Sequence, residues 1–119
     1  MRPMNSSNIE QGELVVADIM FAEQEGKKRG LAMVISGTKY NKTSIDVVVL
    51  KVTSSPKNSA YAIGLTNEST LKGALKKNSK IVADFPVTLS KQNIRARPDS
   101  ISGSKLLEVK RAMKEIYGI

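Results

Sequence analysis

At 119 residues and 40% hydrophobic, the chain has the size of one globular domain able to bury a core without disulfides or metal. It has no cysteine and no histidine, which excludes a disulfide scaffold, cysteine-ligated zinc, a thiol nucleophile and any hydrolytic centre built on histidine. Nineteen Lys and Arg against eleven Asp and Glu give a formal charge of +8, which points to a polyanionic partner, nucleic acid first, although two Phe and three Tyr leave little for a base-stacking platform.

Residues 1–11 are polar and are expected to form a loose N-terminal arm, with a single domain running over 12–119. The arm lacks the basic start and apolar run of a secretory signal. No apolar stretch approaches the roughly 20 residues that span a bilayer, so a soluble cytoplasmic protein without membrane association is expected. Glu13 to Phe21 is rich in branched residues and reads as the first strand. Ala22 to Gly30 is too polar for a buried strand and reads as an exposed loop, followed by a second strand from Leu31 to Ser36. Gly37 to Thr43 carries Gly, Asn and Lys and suggests a turn. A third strand follows over Ser44–Thr53, then a polar loop, then a fourth strand over Ala60–Leu65.

Glu68 to Leu75 is expected to hold a short helical turn, and Lys80 to Phe85 a fifth strand. Pro86 cannot donate to a ladder, so that strand must end, bulge or lie at an edge there. Arg95 to Ser100 reads as a loop, because Pro98 disfavours helical geometry at Arg97. From Ser104 onward Leu106, Val109, Met113 and Ile116 recur at helical spacing, with Leu107 and Tyr117 widening the stripe and Gly118 suited to the C-terminal cap. Lys105, Lys110, Arg111 and Lys114 fall mostly off the stripe, as a solvated face does. Five short strands and one terminal helix imply a mainly antiparallel small barrel or strongly curled sheet with the helix packed on it.

Two segments concentrate polar groups at strand ends. A basic loop, Gly26-Lys27-Lys28-Arg29-Gly30, enters the second strand, and a hydroxyl cluster, Thr53-Ser54-Ser55, leaves the third. Arg grips a phosphate with two N–H donors and hydroxyls add further ones, so the pair reads as a phosphate site. Acidic residues are scattered singly apart from Glu23 and Glu25, which disfavours a metal centre or a glycosidase pair. No P-loop, dinucleotide fingerprint or serine-nucleophile motif occurs. One reaction tolerates this kit: cleavage of RNA by its own 2′-hydroxyl, in which the substrate supplies the nucleophile and the protein orients it and stabilises charge.

In order and spacing the segments resemble the MazF/PemK family of toxin endoribonucleases. The resemblance rests on Gly12-Glu13 opening the first strand, Lys28-Arg29-Gly30 before Leu31-Ala32-Met33-Val34-Ile35-Ser36, Tyr40-Asn41, Thr53-Ser54-Ser55, and Gly73 to Asp84 downstream. It implies an SH3-like barrel of the CcdB/PemK kind, a homodimer, that cuts single-stranded RNA without a cofactor and is neutralised by a cognate acidic antitoxin. Arg29 and Thr53 would be its catalytic residues, Glu23 an acidic loop contact, and Lys27, Lys28 and Ser54 neighbours of the scissile phosphate. The chain departs from the family pattern at Gly30, where Pro is usual, and at Asp84-Phe85-Pro86-Val87-Thr88, which drops a polar and a basic residue; Arg95 and Arg97 are the candidates to replace that charge. Two other readings stand beside this one. The first is a nucleic-acid-binding barrel without catalysis, and the second a CcdB-like gyrase inhibitor, which the absence of Trp from the C-terminus disfavours.

Overall fold

The computed structural model describes residues 8–20, 28–55 and 60–119. These form six strands, β1 (Glu13–Ile19), β2 (Lys28–Val34), β3 (Asp46–Thr53), β4 (Ala62–Leu65), β5 (Ser79–Ser90) and β6 (Ile94–Ser100), with a short helix α1 (Thr38–Thr43) and a long one, α2 (Gly103–Tyr117). All pairings are antiparallel, in the order β4-β5-β3-β2-β1-β6.

The central strands read as nearly unbroken apolar runs because they bury both faces. On one face Val15, Ala17 and Ile19 of β1 pack with Ala32, Val34, Val47 and Val49. On the other Leu14, Met33, Leu50, Val52 and Ile81 meet Val109 of α2, with Leu106, Met113 and Ile116 packed at the margin. The predicted stripe of α2 is therefore the one that docks, whereas Leu107 and Tyr117 stay outside it, half exposed. Ser102 caps the helix by accepting from the Lys105 N–H, and Gly118 ends it in the left-handed conformation, φ 67°, which favours glycine. Gly12 likewise takes a positive φ of 95° as its N–H and carbonyl tie Val34 and Ile101 together ahead of β1. Ile9 is 1% exposed within the first core, so the packed chain reaches back upstream of Gly12.

The sheet curls without closing into a barrel. Its outer strands β4 and β6 do not pair; the segment after β4 reaches the end of β6 through a single bridge, Thr70 to Ile101, and the Leu71 N–H bonds the Ser100 carbonyl. The strand interrupted by Pro86 neither ends nor lies at the edge there. The β3–β5 register instead slips between Leu50–Pro86 and Lys51–Val82, and β5 continues beyond this bulge to Ser90. Its first part, with Ile81 and Ala83, serves one core, and its later part, with Phe85, Val87 and Leu89, serves the other.

Four local expectations change. β2 starts at Lys28, so Arg29 lies on a strand and not in a loop. Residues 38–43 form a helix where a turn was expected. The helical turn expected over 68–75 shrinks to one 3-10 turn at Asn67–Ser69. Arg95 to Ser100 is an edge strand, which tolerates Pro98 because its register with β1 shifts twice. Among the described residues no helix is long and apolar enough to cross a membrane.

Candidate functional site

Arg29 and Asp18 are opposite each other in the β1–β2 register. Arg29 Nε donates to Asp18 Oδ1 at 3.1 Å, and Arg95 Nε, from β6 on the other side of β1, donates to Asp18 Oδ2 at 2.7 Å. One carboxylate on the middle strand thus holds a guanidinium on each neighbour. Its pKa lies below the ordinary 3.8, chiefly through the bond from Arg95 and then that from Arg29. Both Arg side chains remain open to solvent, 63% for Arg29 and 47% for Arg95, whereas Asp18 is 20% exposed.

Strand alternation sets what lies beside this cluster. Leu14 and Val16 share a face with Asp18, and Leu31 shares one with Arg29; with Val52 they floor a groove of about 550 Å³. Ser54, Ser79, Lys76 and Lys77 stand at its polar side. The loop carrying those lysines is anchored from below by Asp99, which is 4% exposed. Its Oδ1 accepts the N–H groups of Leu71 at 3.1 Å, Lys72 at 2.8 Å and Ser100 at 2.8 Å, and Oδ2 accepts that of Ala74 at 2.9 Å. Burial pushes this carboxyl up, but the N–H donors of Ala74, Ser100 and Lys72 outweigh it and hold the pKa below 3.8. Asn67 fastens the same loop by bonding both the N–H and the carbonyl of Leu75.

Ser54 thus lines the groove itself, while Arg29 stands just outside it, two residues before the lining Leu31 on the same face of β2, with Lys28 exposed at the start of that strand. Thr53 is the last residue of β3, and alternation turns it away from the groove face that Val52 and Ser54 share. Its Oγ1 accepts the Ser55 N–H at 3.1 Å, shaping the exit from the strand. No hydrogen bond joins Arg29 to Thr53. Glu23 and Lys27 lie outside the described residues. Of the two candidates to replace basic charge, Arg95 joins Arg29 but Arg97 does not. Its guanidinium is bound at both ends to Glu13, Nε to Oε1 and Nη2 to Oε2, each at 2.7 Å, and Nη2 also bonds the Asn8 carbonyl at 2.8 Å.

Sequence reasoning missed Asp18 and Asp99. An acid inside the apolar run Val15-Val16-Ala17-Asp18-Ile19 was the available signal for the first. Nothing local marks the second, whose partners lie 25 to 28 residues upstream apart from the adjacent Ser100. Among the described residues no three acidic side chains gather closely enough to hold a metal ion.

A family model described as the PemK-like, MazF-like toxin of type II toxin–antitoxin systems matches residues 10–117. Among solved structures, a MazE–MazF complex from Deinococcus radiodurans is 22% identical with a TM-score of 0.76, covering 95% of this chain and 99% of that one. MazF from the same organism is 24% identical with a TM-score of 0.69, covering 96% and 100%. A mycobacterial endoribonuclease in complex with its cognate antitoxin is 15% identical with a TM-score of 0.72, covering 94% and 95%. At these identities the likeness shows a shared fold, over nearly the full length of both chains. No curated protein sequence matches the chain.

Proposed function

The chain belongs to the PemK-like, MazF-like toxin family of type II toxin–antitoxin systems, and on that premise we propose that it is an endoribonuclease that cuts single-stranded RNA at short sequences. The observation that carries this reading is Arg29, exposed with its Nε fixed by Asp18 and lying on the strand face that continues through Leu31 into the apolar floor of the groove. A strand lying there would place a phosphate on the guanidinium and a base over Val16, Leu31 or Val52.

The 2′-oxygen bonds to the adjoining phosphorus as the bond to the 5′-oxygen breaks; the 2′-hydroxyl gives its proton to water and the departing 5′-oxygen takes one from water, leaving a cyclic phosphate and a 5′-hydroxyl. The nucleophile is the substrate's own, so the protein needs to hold the reacting atoms in line and offset charge on the phosphoryl oxygens. Arg29 acts through the charge and the N–H donors of its guanidinium. The hydroxyl of Ser54 supplies a neutral donor on the groove face, Thr53 reaches the phosphate only if the end of β3 turns it inward, and Lys28 adds charge along the strand. The mycobacterial relative pairs with a cognate antitoxin and the Deinococcus MazF with MazE. By the same logic an acidic antitoxin segment would occupy this groove and exclude RNA. The protein would act as a homodimer in the cytoplasm.

The test is incubation of the purified protein with single-stranded RNA in EDTA, followed by end analysis. Cyclic phosphate and 5′-hydroxyl ends are expected, and Arg29→Ala is expected to lower kcat about 100-fold or more with an unchanged circular dichroism spectrum. Equal cutting by wild type and Arg29→Ala would sink the proposal. Thr53→Ala and Ser54→Ala, measured side by side, show which hydroxyl meets the reacting phosphate.

A further inference from the structure

Arg95 occupies an irregular place in the sheet. Val16 is opposite Ala96 and Ala17 is opposite Ile94, so two neighbouring residues of β1 face three of β6 and Arg95 is the inserted one. A bulge of this kind re-aims its side chain, and here it aims Arg95 at Asp18, which Arg29 already occupies from the opposite side. Each guanidinium spends its Nε on the shared carboxylate. Among the described residues the terminal Nη groups of both make no hydrogen bond, so two forks face outward over one neutralised charge. As a device for stability the arrangement is poor, because exposed ion pairs contribute little and the two cations repel each other. As a device for binding an anion it is well made.

We propose that Arg95 is a second phosphate-binding residue and that Asp18 is the positioning residue that sets it beside Arg29, so that the two guanidiniums clamp adjoining phosphates of the RNA strand. This rests on the endoribonuclease reading above. Three features favour a phosphodiester chain as the occupant. The guanidinium fork matches phosphate oxygens in two-donor geometry. The pair continues the groove face through Leu31, Val16 and Ala96, giving bases an apolar floor next to the charges. Lys76 and Lys77, which line the same groove, offer further cations to a strand that leaves the arginine pair along it.

The experiment measures binding of the full chain to a 2′-O-methyl oligonucleotide, which cannot supply the nucleophile, across a salt series, together with cleavage of the matching RNA. Arg95→Ala is expected to weaken binding about tenfold and to reduce the slope of log affinity against log salt by about 0.7, the worth of one phosphate contact on a single strand. Arg95→Lys should restore the slope but only part of the affinity, because the point charge returns without the fork. Asp18→Asn removes an anion, so a role in bulk charge alone would tighten binding and leave kcat unchanged. The positioning role predicts a kcat lower by about tenfold with binding no weaker. Wild-type affinity and slope in Arg95→Ala, or wild-type kcat in Asp18→Asn, would overturn the clamp. If Arg29→Ala is inactive in the same assays, the endoribonuclease reading survives that failure; a wild-type protein that neither binds nor cuts RNA overturns both. An Arg95→Ala chain that keeps its RNA affinity but loses binding to a polyglutamate peptide assigns Arg95 to an acidic protein segment and also ends the proposal.

Discussion

Arg97 and Arg95 stand two residues apart on the same edge strand, each paired with a carboxylate of β1, yet they do different work. The Arg97–Glu13 pair is largely buried, with side chains 16% and 10% exposed. Both ends of its fork are engaged, and the carboxylate also accepts the Glu10 N–H at 2.6 Å. Hydrogen bonding to Glu13 raises the Arg97 pKa above its ordinary value. Arg95 shares its carboxylate with a second cation and remains half in solvent. Saturated donors and burial fasten the chain; unsaturated donors and exposure leave capacity for a ligand. The contrast shows that a salt bridge takes its meaning from what its remaining hydrogen-bonding groups do.

Breaking the buried member should produce the largest effect. Glu13→Ala leaves a guanidinium uncompensated in a mostly buried place and is expected to cost about 3 kcal/mol in urea denaturation. A midpoint close to wild type would erase the distinction. Asp99 belongs with the saturated kind, and Asp99→Asn is expected to cost about 2 kcal/mol at neutral pH. Its folded pKa lies below 3.8, so its contribution is present above that value and is lost as pH falls through the folded one. Wild type and Asp99→Asn should therefore converge in stability on acidification, which an acid series of urea melts checks; a constant gap would show that ionisation is irrelevant. The smallest effect is expected at the exposed cluster. Asp18→Asn should leave the urea midpoint near that of wild type. The coupling of Asp18 to Arg29 in a double-mutant cycle should fade as sodium chloride is raised toward about 1 M, while that of Glu13 to Arg97 persists.

The sequence was most readable where local pattern and burial agree. β1 and β3 are dense in branched apolar residues, α2 carries its apolar residues at helical period, and Gly118 ends the helix where its freedom is needed. β6 was obscured because Pro98 and two arginines sit in an edge strand whose bulges accept them, and no short-range signal reports that β1 lies alongside. The start of β2 was obscured by charge, since Lys28 and Arg29 are strand residues on an exposed end. Arg29 and the Thr53-Ser54 pair could be singled out from composition and from family resemblance. Asp18 meets Arg95 across 77 residues only through sheet register, a property of the folded chain as a whole.

Because β5 passes from one core to the other at the Pro86 bulge while staying paired with β3 on both sides of it, neither half of the molecule has a seam along which to open alone. Local opening is set by the least-anchored cooperative unit, and here that unit spans both cores. The amides of β3 and the flanking halves of β5 should therefore exchange with deuterium only through global unfolding, with one common opening free energy, and the frame that carries the groove should melt in a single step.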